Sequence, residues 1–202
     1  MDVEPGNPEP PESHWIELAR AGRDEGWREL HRRYYAGLWH VAHQLLRDEA
    51  LAEDVVQEAF IKAHRQIRRF RGDAKFSTWI YRITQNQARD VLRKQQRRGK
   101  WLGLFPLNGA SDDPDAPEID AVDQGRTASE DAALGDDRAA LAKALATLNP
   151  DHRAVVELRL IQGFSTEETA RILKLKKGTV LSRLFYSCQK LKKHLEPTYN
   201  EQ

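Results

Sequence analysis

The sequence is short of the residues that cross-link a protein or anchor it in a membrane. Its 202 residues include one cysteine, Cys188, which excludes an internal disulfide and a zinc site built from several thiolates. No apolar stretch approaches the ~18 residues of a membrane span. The acidic, proline-rich start has neither the basic residues nor the apolar run of a signal peptide. We therefore expect a cytoplasmic protein without direct membrane insertion.

An excess of one charge is also lacking, because 32 lysines and arginines face 31 aspartates and glutamates. The distribution of these charges is uneven. Between Lys62 and Lys100 there are thirteen basic residues and two acidic ones, whereas between Ser111 and Asp137 there are ten acidic residues and one basic one. A basic segment is typical of a surface that binds a polyanion. The acidic segment, which also contains prolines, is typical of a self-repelling linker.

Apolar residues recur at helical spacing on both sides of the acidic segment, and no stretch alternates as a half-buried strand does. The sequence predicts an all-α fold of two small helical domains joined by a flexible acidic linker. We expect a disordered acidic, proline-rich tail at 1–13, a first domain at 14–100, the linker at 101–137 and a second domain at 138–197. The predicted helices cover about 15–21, 25–47, 49–70, 78–98, 150–162, 166–173 and 178–195. Pro197 is expected to end the last helix.

The last helix of the first domain is predicted to have two different faces. One face contains Ile80, Ile83, Gln87 and Val91, and the opposite face carries Arg82, Asn86, Arg89, Arg93 and Arg97. A basic stripe that includes an amide suits DNA, because cations bind phosphates and amides read base edges. Upstream, aromatic residues are interleaved with cations, which suits the unstacked bases of a single strand. Phe76 and Trp79 could equally be ordinary core residues.

The preceding helix carries an acidic and amide edge made of Glu53, Asp54, Gln57 and Glu58. Such a cluster can hold a metal ion or supply an acid–base pair, but no nucleophile or ligand-bearing loop accompanies this one. We predict instead that the edge binds a basic surface of a protein partner. His40 and His43 lie one helical turn apart and lack a third ligand. We therefore predict no metal, no cofactor and no catalytic residue.

The second domain shows the pattern of a helix-turn-helix. Asn149 and Pro150 predict the start of one helix, and Ser165 with Glu168 forms a capping box that predicts the start of another. We expect Cys188 to lie on the buried side of the final helix. The opposite face carries cations and hydroxyls, which suit the phosphates and bases of a major groove. Helical hairpins also serve structural purposes, so the pattern by itself is only moderately specific.

Four segments resemble the sigma subunits of bacterial RNA polymerase. Ala52 to Phe60, AEDVVQEAF, is similar to the AEDLVQEVF signature of sigma region 2, and Phe76 to Arg93 is similar to the FxTWLYRIARNxxxDxLR segment that follows it. Leu148 to Arg153 and Gly178 to Leu184, GTVLSRL, are similar to region 4. The resemblance covers nearly all of residues 25–195. The absence of other sigma regions implies the small extracytoplasmic-function group.

This resemblance implies a promoter-specificity factor that acts with core RNA polymerase and is a monomer when free. Region 2 would dock on the clamp of the β′ subunit through Asp54, Gln57 and Glu58. It would bind the −10 element of promoter DNA through Phe70, Arg71, Lys75, Phe76, Trp79, Arg82, Asn86, Arg89 and Arg93. Region 4 would dock on the β flap and bind the −35 element through Lys177, Thr179, Ser182, Arg183, Tyr186 and Lys190. An anti-sigma factor, soluble or linked to the membrane, commonly blocks such surfaces.

Some residues depart from the family pattern, and these departures bear on promoter preference. Tyr186 and Cys188 replace two usual arginines, and Thr84 and Gln85 replace the usual alanine and arginine. Lys176 stands where a serine usually caps the recognition helix, so a capping bond of ~1 kcal/mol is lost.

Two other functions remain open from the residues alone. An independent operator-binding regulator would need to dimerise, and the sequence offers no clear heptad seam for this. A metal-dependent nuclease would use Glu53, Asp54 and Glu58, and cleavage of DNA in the presence of magnesium would reveal it.

Overall fold

The computed structural model describes residues 10–101 and 135–199, in which all the regular elements are helices. We refer to the first five as the N-terminal unit: α1 (Glu12–Arg20), α2 (Asp24–Leu46), α3 (Glu49–Gln66), a 3-10 turn (Ile67–Arg69) and α4 (Phe76–Trp101). The C-terminal unit comprises α5 (Gly135–Ala146), α6 (Pro150–Val156), a π-helical turn (Glu157–Ile161), α7 (Thr166–Leu173) and α8 (Lys177–Tyr199). The predicted all-α class is confirmed.

The N-terminal unit is organised around α2, which packs against both α1 and α3. Its buried side chains include Leu30 and Leu38 of α2, Val56 of α3 and Ile80 of α4. Burial of one such side chain contributes roughly 1.5–3 kcal/mol. The apolar residues that recur at helical spacing are therefore the ones that hold this unit together.

Two adjacent residues set the turn between α2 and α3. Arg47 adopts the left-handed conformation with φ of 53°, and its N–H donates to the His43 carbonyl at 2.7 Å. Asp48 then caps α3, because its carboxylate accepts a hydrogen bond from the Leu51 N–H at 2.9 Å. The chain thus leaves one helix and enters the next within two residues.

The core row of α4 differs from the prediction. The buried residues in its middle are Ile80, Ile83, Thr84, Gln85 and Ala88. Gln87 and Val91, which were expected to lie on the same face as Ile80 and Ile83, are only half-buried. Thr84, Gln85 and Ala88 occupy the buried positions instead. Thr84 is accommodated there because its hydroxyl donates to the Ile80 carbonyl at 3.1 Å.

The C-terminal unit is organised around α8, which packs against α5 and α6. Its core cluster consists of Ala144, Leu145, Leu148, Val156 and Leu191, with Leu184 and Leu195 partly buried against it. Both predicted helix starts are confirmed. The Asn149 side chain accepts from the His152 N–H at 2.8 Å. Ser165 and Glu168 cap each other, with N–H to side-chain distances of 2.9 and 3.2 Å.

Two helices of the C-terminal unit differ in extent from the prediction. The helix expected at 150–162 changes after Val156 into the π-helical turn. The last helix continues to Tyr199, so the prediction that Pro197 ends it is wrong. Proline removes one helical hydrogen bond and crowds the preceding turn. This disfavours a helix without preventing it from continuing for a few residues near its end.

Arg153 is buried although it carries a charge, with 6% of its surface exposed. Its guanidinium donates to the carbonyls of Leu145 at 3.0 Å, Ala146 at 3.2 Å and Leu148 at 2.7 Å. Carbonyls at the end of a helix lack intrahelical partners, and α5 ends at Ala146. Arg153 therefore satisfies the end of α5 and ties it to α6, which explains an arginine in the 148–153 motif.

Parts of the predicted architecture lie outside the described residues. These are residues 1–9 of the expected tail and 102–134 of the expected linker. The predicted domain boundaries accordingly stay predictions. Within the described ranges, no helix combines the length and the apolar character needed to cross a membrane.

Candidate polymerase and nucleic-acid surfaces

The edge predicted to bind a protein partner lies on the outer face of α3. Asp54, Gln57 and Glu58 are all exposed and lie at i, i+3 and i+4, so they are neighbours on the helix surface. The same helix buries Ala52, Val55, Val56 and Ala59. The three polar residues form an open acidic edge that suits a basic partner. No group of three or more metal-ligating side chains comes together among the described residues.

The cations predicted to bind DNA lie along α4 and in the turn before it. The exposed ones are Arg71, Lys75, Arg82 and Arg93, and Asn86 and Arg89 are half-buried. One terminal nitrogen of Arg93 lies 3.8 Å from a carboxylate oxygen of Asp90, and both side chains are more than half exposed. A pair this exposed contributes at most about 1 kcal/mol. Arg93 can therefore exchange Asp90 for a phosphate at little cost.

Phe70, Phe76 and Trp79 form a closed aromatic cluster. Their ring centroids lie 5.1 to 5.7 Å apart, and Tyr34 of α2 packs against Phe76 at 5.5 Å. Phe76 is 1% exposed and Phe70 9% exposed. Burial makes both of them core residues, so the prediction that their rings stack on DNA bases does not fit the structure. Trp79 is the half-buried member of this cluster.

Polar contacts from α1 fix this aromatic cluster in place. The Arg20 guanidinium lies 5.5 Å from the centroid of the Phe70 ring and also donates to the Phe70 carbonyl. The Tyr34 hydroxyl donates to the Glu12 carboxylate, and burial followed by this hydrogen bond raises the pKa of Tyr34. The phenol therefore stays protonated as a donor. Since Phe70 and Phe76 are both anchored, the cationic turn between them has fixed ends. Within this turn Gly72 adopts a φ of 83°, a left-handed conformation that favours glycine.

Thr84 and Gln85, which stand where the resembling family has alanine and arginine, do not reach the surface. Thr84 is completely buried and Gln85 is 2% exposed. Neither polar atom of the Gln85 amide has a hydrogen-bond partner among the described residues. Burial excludes both side chains from direct contact with a base. They can affect promoter preference only through the packing of the helix that carries Asn86.

The residues predicted to bind the −35 element lie on two sides of α8. Lys177, Ser182 and Tyr186 are exposed, whereas Thr179, Arg183 and Lys190 are half-buried. Lys177 forms an ion pair with Glu167 of α7. Arg183 forms an ion pair with Asp151 of α6 at 3.2 Å, and 21% of its side chain is exposed. The Arg183 guanidinium is thus held against α6, away from the most exposed face of the helix.

The sequence prediction omits two exposed apolar residues of α8. Leu181 is 54% exposed and Phe185 is 59% exposed. The Phe185 ring meets the ring of Tyr186 edge-on, with centroids 5.6 Å apart. The signal in the sequence is an apolar pair at i and i+4 that does not coincide with the core row of Val180 and Leu184.

Cys188 is exposed, so the prediction that it is buried is wrong. Ser187 takes the buried position instead. Its hydroxyl donates to the Arg183 carbonyl at 2.6 Å and lies 3.1 Å from Nδ1 of His152. These two contacts satisfy the hydrogen-bonding capacity of the Ser187 hydroxyl at a buried position of α8.

Comparison with known proteins accounts for both units. Residues 30–98 match the family model of Sigma-70 region 2, and residues 144–193 match that of Sigma-70, region 4. The RNA polymerase sigma-H factor of Pseudomonas aeruginosa is 31% identical over 187 residues, which cover 92% of this chain and 94% of that protein. The chain belongs to the sigma-70 family of sigma factors.

Further relatives place this sigma factor in the extracytoplasmic-function (ECF) group. The ECF RNA polymerase sigma-E factor of Escherichia coli is 36% identical over 150 residues, or 71% of this chain and 73% of that protein. CnrH, solved with the cytosolic domain of CnrY, superposes with a TM-score of 0.63 at 25% identity, covering 92% of this chain and 97% of CnrH. RpoE from Bartonella quintana, solved with the anti-sigma factor NepR, gives a TM-score of 0.61 at 24% identity, covering 84% of this chain and 98% of RpoE.

Membership of this family decides between the functions that the residues left open. Sigma factors are transcription initiation factors, and this one directs RNA polymerase to promoters. The basic face of α4 lies within the region 2 match, and most of the helix-turn-helix lies within the region 4 match. Neither an independent operator-binding regulator nor a nuclease is required to explain them.

Proposed function

We propose that this sigma factor divides promoter recognition between its units, with α4 binding the −10 element and α8 binding the −35 element. The observation that carries the proposal is that each helix buries one face and exposes cations on another. Cations bind phosphates irrespective of sequence and fix the register of the protein on DNA. Neighbouring side chains that reach base edges then supply the selectivity.

At the −10 element, the residues proposed to bind phosphates are Arg71, Lys75, Arg82, Arg89 and Arg93. Asn86 is proposed to read a base edge, since amides pair with bases. Trp79, the half-buried residue of the aromatic cluster, is proposed to stack on an unpaired base. Stacking contributes roughly 1–3 kcal/mol per base, which can hold an opened base without melting the duplex. The sigma factor therefore opens promoters only together with polymerase.

The acidic edge of α3 is proposed to dock on the clamp of the β′ subunit. Asp54 and Glu58 would pair with basic residues there, and Gln57 would add hydrogen bonds. The C-terminal unit is proposed to dock on the β flap, which would present α8 to the −35 element. Complementary charge accelerates association and fixes orientation more than it adds affinity.

An anti-sigma factor is proposed to control this sigma factor in the cytoplasm, either in solution or tethered to the membrane. In support, CnrH was solved in complex with the cytosolic domain of CnrY. The surfaces to be covered are the Asp54 edge and the exposed face of α8. Covering either of them would prevent formation of an active holoenzyme.

The proposal is tested by run-off transcription with core polymerase and templates randomised at the −10 and −35 positions. We expect promoter-selective transcripts and permanganate-reactive thymines at the −10 element only when polymerase and sigma factor are both present. Asn86→Ala should change the preferred −10 base, whereas the matched control Gln95→Ala, which removes an exposed amide of the same helix, should not. Transcription without promoter preference would contradict the proposal. An unchanged −10 preference in Asn86→Ala would exclude Asn86 as the reader.

A further inference from the structure

The part of α8 that would enter the major groove presents an apolar surface. Leu181, Phe185 and Tyr186 are 54%, 59% and 58% exposed, and all three lie in the first ten residues of the helix. In a helix-turn-helix, residues near the start of the second helix contact the base edges. The side chains best placed to meet bases are therefore two hydrophobic residues and a tyrosine.

These residues do not belong to the core of the C-terminal unit. The buried row of α8 is Val180, Ser187 and Leu191. Leu181 lies ~100° around the helix from Val180, and Phe185 follows it at i+4. The Phe185 and Tyr186 rings touch each other, as described above, and Ser182 is exposed beside them. The apolar surface is thus continuous and faces solvent in this unit.

The surroundings of this apolar surface are cationic. From Thr169 to Leu195 there are eight lysines and arginines and no aspartate or glutamate. Lys177 is exposed just before the apolar surface, and Lys192 and Lys193 are exposed beyond it. Two carboxylates also lie nearby, and each is already paired with a cation: Glu167 with Lys177 and Asp151 with Arg183. An apolar surface within a predominantly basic frame suits a polyanion that carries apolar groups. In the major groove of DNA, that apolar group is the C5-methyl of thymine.

We propose that Leu181 and Phe185 set the −35 specificity of this sigma factor by contacting thymine methyl groups. The inference rests on the proposed binding of α8 to the −35 element and deepens it. Arginine reads guanine through two hydrogen bonds, and Tyr186 replaces an arginine that is usual in the family. The preferred −35 element is therefore expected to depend on thymines at the positions facing Leu181 and Phe185.

The test uses the full-length sigma factor in holoenzyme with core polymerase. A −35 element is first selected from duplex templates that are randomised at that element. Each selected thymine is then replaced by deoxyuridine, which removes the methyl group and leaves every hydrogen-bonding group in place. At each contacted thymine we expect transcription under subsaturating holoenzyme to fall about fourfold, the factor that corresponds to one buried methyl group.

Variants assign the effect to individual side chains. For each position we compare transcription from the thymine template with transcription from the deoxyuridine template. In Leu181→Ala and Phe185→Ala, this ratio of transcription should fall from about four to about one at the position that each residue contacts. The control Leu141→Ala removes an exposed leucine from α5, which is 41% exposed against 54% for Leu181, and should keep the fourfold ratio. Because all three side chains are exposed, we expect unchanged thermal unfolding of the variants.

Equal transcription with thymine and deoxyuridine at every position would overturn the inference, while −35 selectivity would still support the proposed function. Selection of an element without thymine would overturn it as well. If Leu181→Ala lost affinity for core polymerase and kept the fourfold ratio, the apolar surface would be a protein-docking surface instead. Wild-type holoenzyme without any −35 preference would contradict both the inference and the proposed function.

Discussion

Gly26 of α2 lies directly against the backbone of α1. A Cβ atom at this position would come within 2.5 Å of the Ala19 nitrogen, 2.6 Å of the Trp15 carbonyl oxygen and 2.8 Å of the Leu18 Cβ. Glycine inside a helix costs up to about 1 kcal/mol relative to alanine. The close crossing of α1 and α2 is the physical reason for a glycine here.

Gly26→Ala is therefore expected to destabilise the N-terminal unit by about 1–3 kcal/mol, since backbone atoms cannot move aside as a flexible side chain can. Urea unfolding followed by circular dichroism measures the change. The matched control is Gly178→Ala in α8, where nothing lies within 4 Å of the added Cβ. The control should be neutral or slightly stabilising. Equal stability of Gly26→Ala and wild type would show that α1 shifts to admit the methyl group.

The protonation of His43 is expected to make the stability of the N-terminal unit depend on pH. Burial lowers the pKa of His43 from its ordinary value of 6.5, against smaller opposing effects of Glu49 and Asp48. The ring stacks on Trp39 with centroids 4.8 Å apart. A histidine with a lowered pKa binds fewer protons in the folded than in the unfolded state. Its contribution to stability is therefore present above the unfolded pKa and is lost as the pH falls below it.

We expect the free energy of unfolding to fall between pH 7.5 and pH 5.5, and to fall less steeply in His43→Gln. Urea titrations at several pH values, followed by tryptophan fluorescence, measure both slopes. Parallel slopes for wild type and variant would contradict this prediction.

Between elements, the ion pair of Asp151 and Arg183 connects α6 to α8. The pair favours an orienting role for Arg183, because its guanidinium must leave Asp151 before it can contact a base. We expect Arg183→Ala and Asp151→Ala each to lower stability by about 1 kcal/mol or less, with non-additive effects in the double variant. The double-mutant cycle is measured by thermal unfolding.

The same variants can be tested on promoters with different −35 elements. If Arg183 orients the helix, Arg183→Ala weakens transcription from all −35 elements to a similar degree. A loss of selectivity at one or two −35 positions, by roughly 1–3 kcal/mol, would instead identify Arg183 as a reader of bases.

The turn between α2 and α3 stores strain at Arg47. A residue other than glycine in the left-handed region costs roughly 1–2 kcal/mol, and Arg47 occupies that region at the end of α2. We expect Arg47→Gly to raise the midpoint of thermal unfolding. Arg28→Gly, at an exposed position inside α2, should lower it, because glycine destabilises a helix interior. If both variants lowered the midpoint, an interaction of the Arg47 side chain would outweigh the strain.

For the whole molecule, the proposed holoenzyme depends on the acidic edge of α3. Asp54→Lys should weaken binding to core polymerase by on the order of tenfold, mainly through a slower association rate. Glu17→Lys makes the same change of charge at an exposed position of α1 and should have little effect. Surface plasmon resonance at two salt concentrations measures both variants. Equal affinities would exclude Asp54 from the docking surface.

Features that depend on neighbours along the chain follow from the amino-acid order alone. Both helix starts that are predicted from caps are confirmed, at Asn149 and at Ser165 with Glu168. Each cap joins residues only three positions apart, so it can be recognised without knowledge of the packing. The region 2 and region 4 motifs are contiguous strings, and they identified the family before any packing was known. Apolar periodicity likewise predicted the all-α class, because a helix repeats every 3.6 residues whatever it packs against.

The accessibility of individual side chains, by contrast, depends on how the helices pack. Adjacent residues of a helix lie ~100° apart, so periodicity cannot separate Ser187 from Cys188 when neither is strongly apolar. An aromatic ring such as that of Phe76 can either stack on a DNA base or pack in a protein core. The contacts of Phe76 with Phe70, Trp79 and Tyr34 assign it to the core. Burial is a property of the helices that surround a residue, and those helices come from distant parts of the chain. The packing of the neighbouring helices is therefore what separates the exposed apolar residues Leu181 and Phe185 of α8 from its core row.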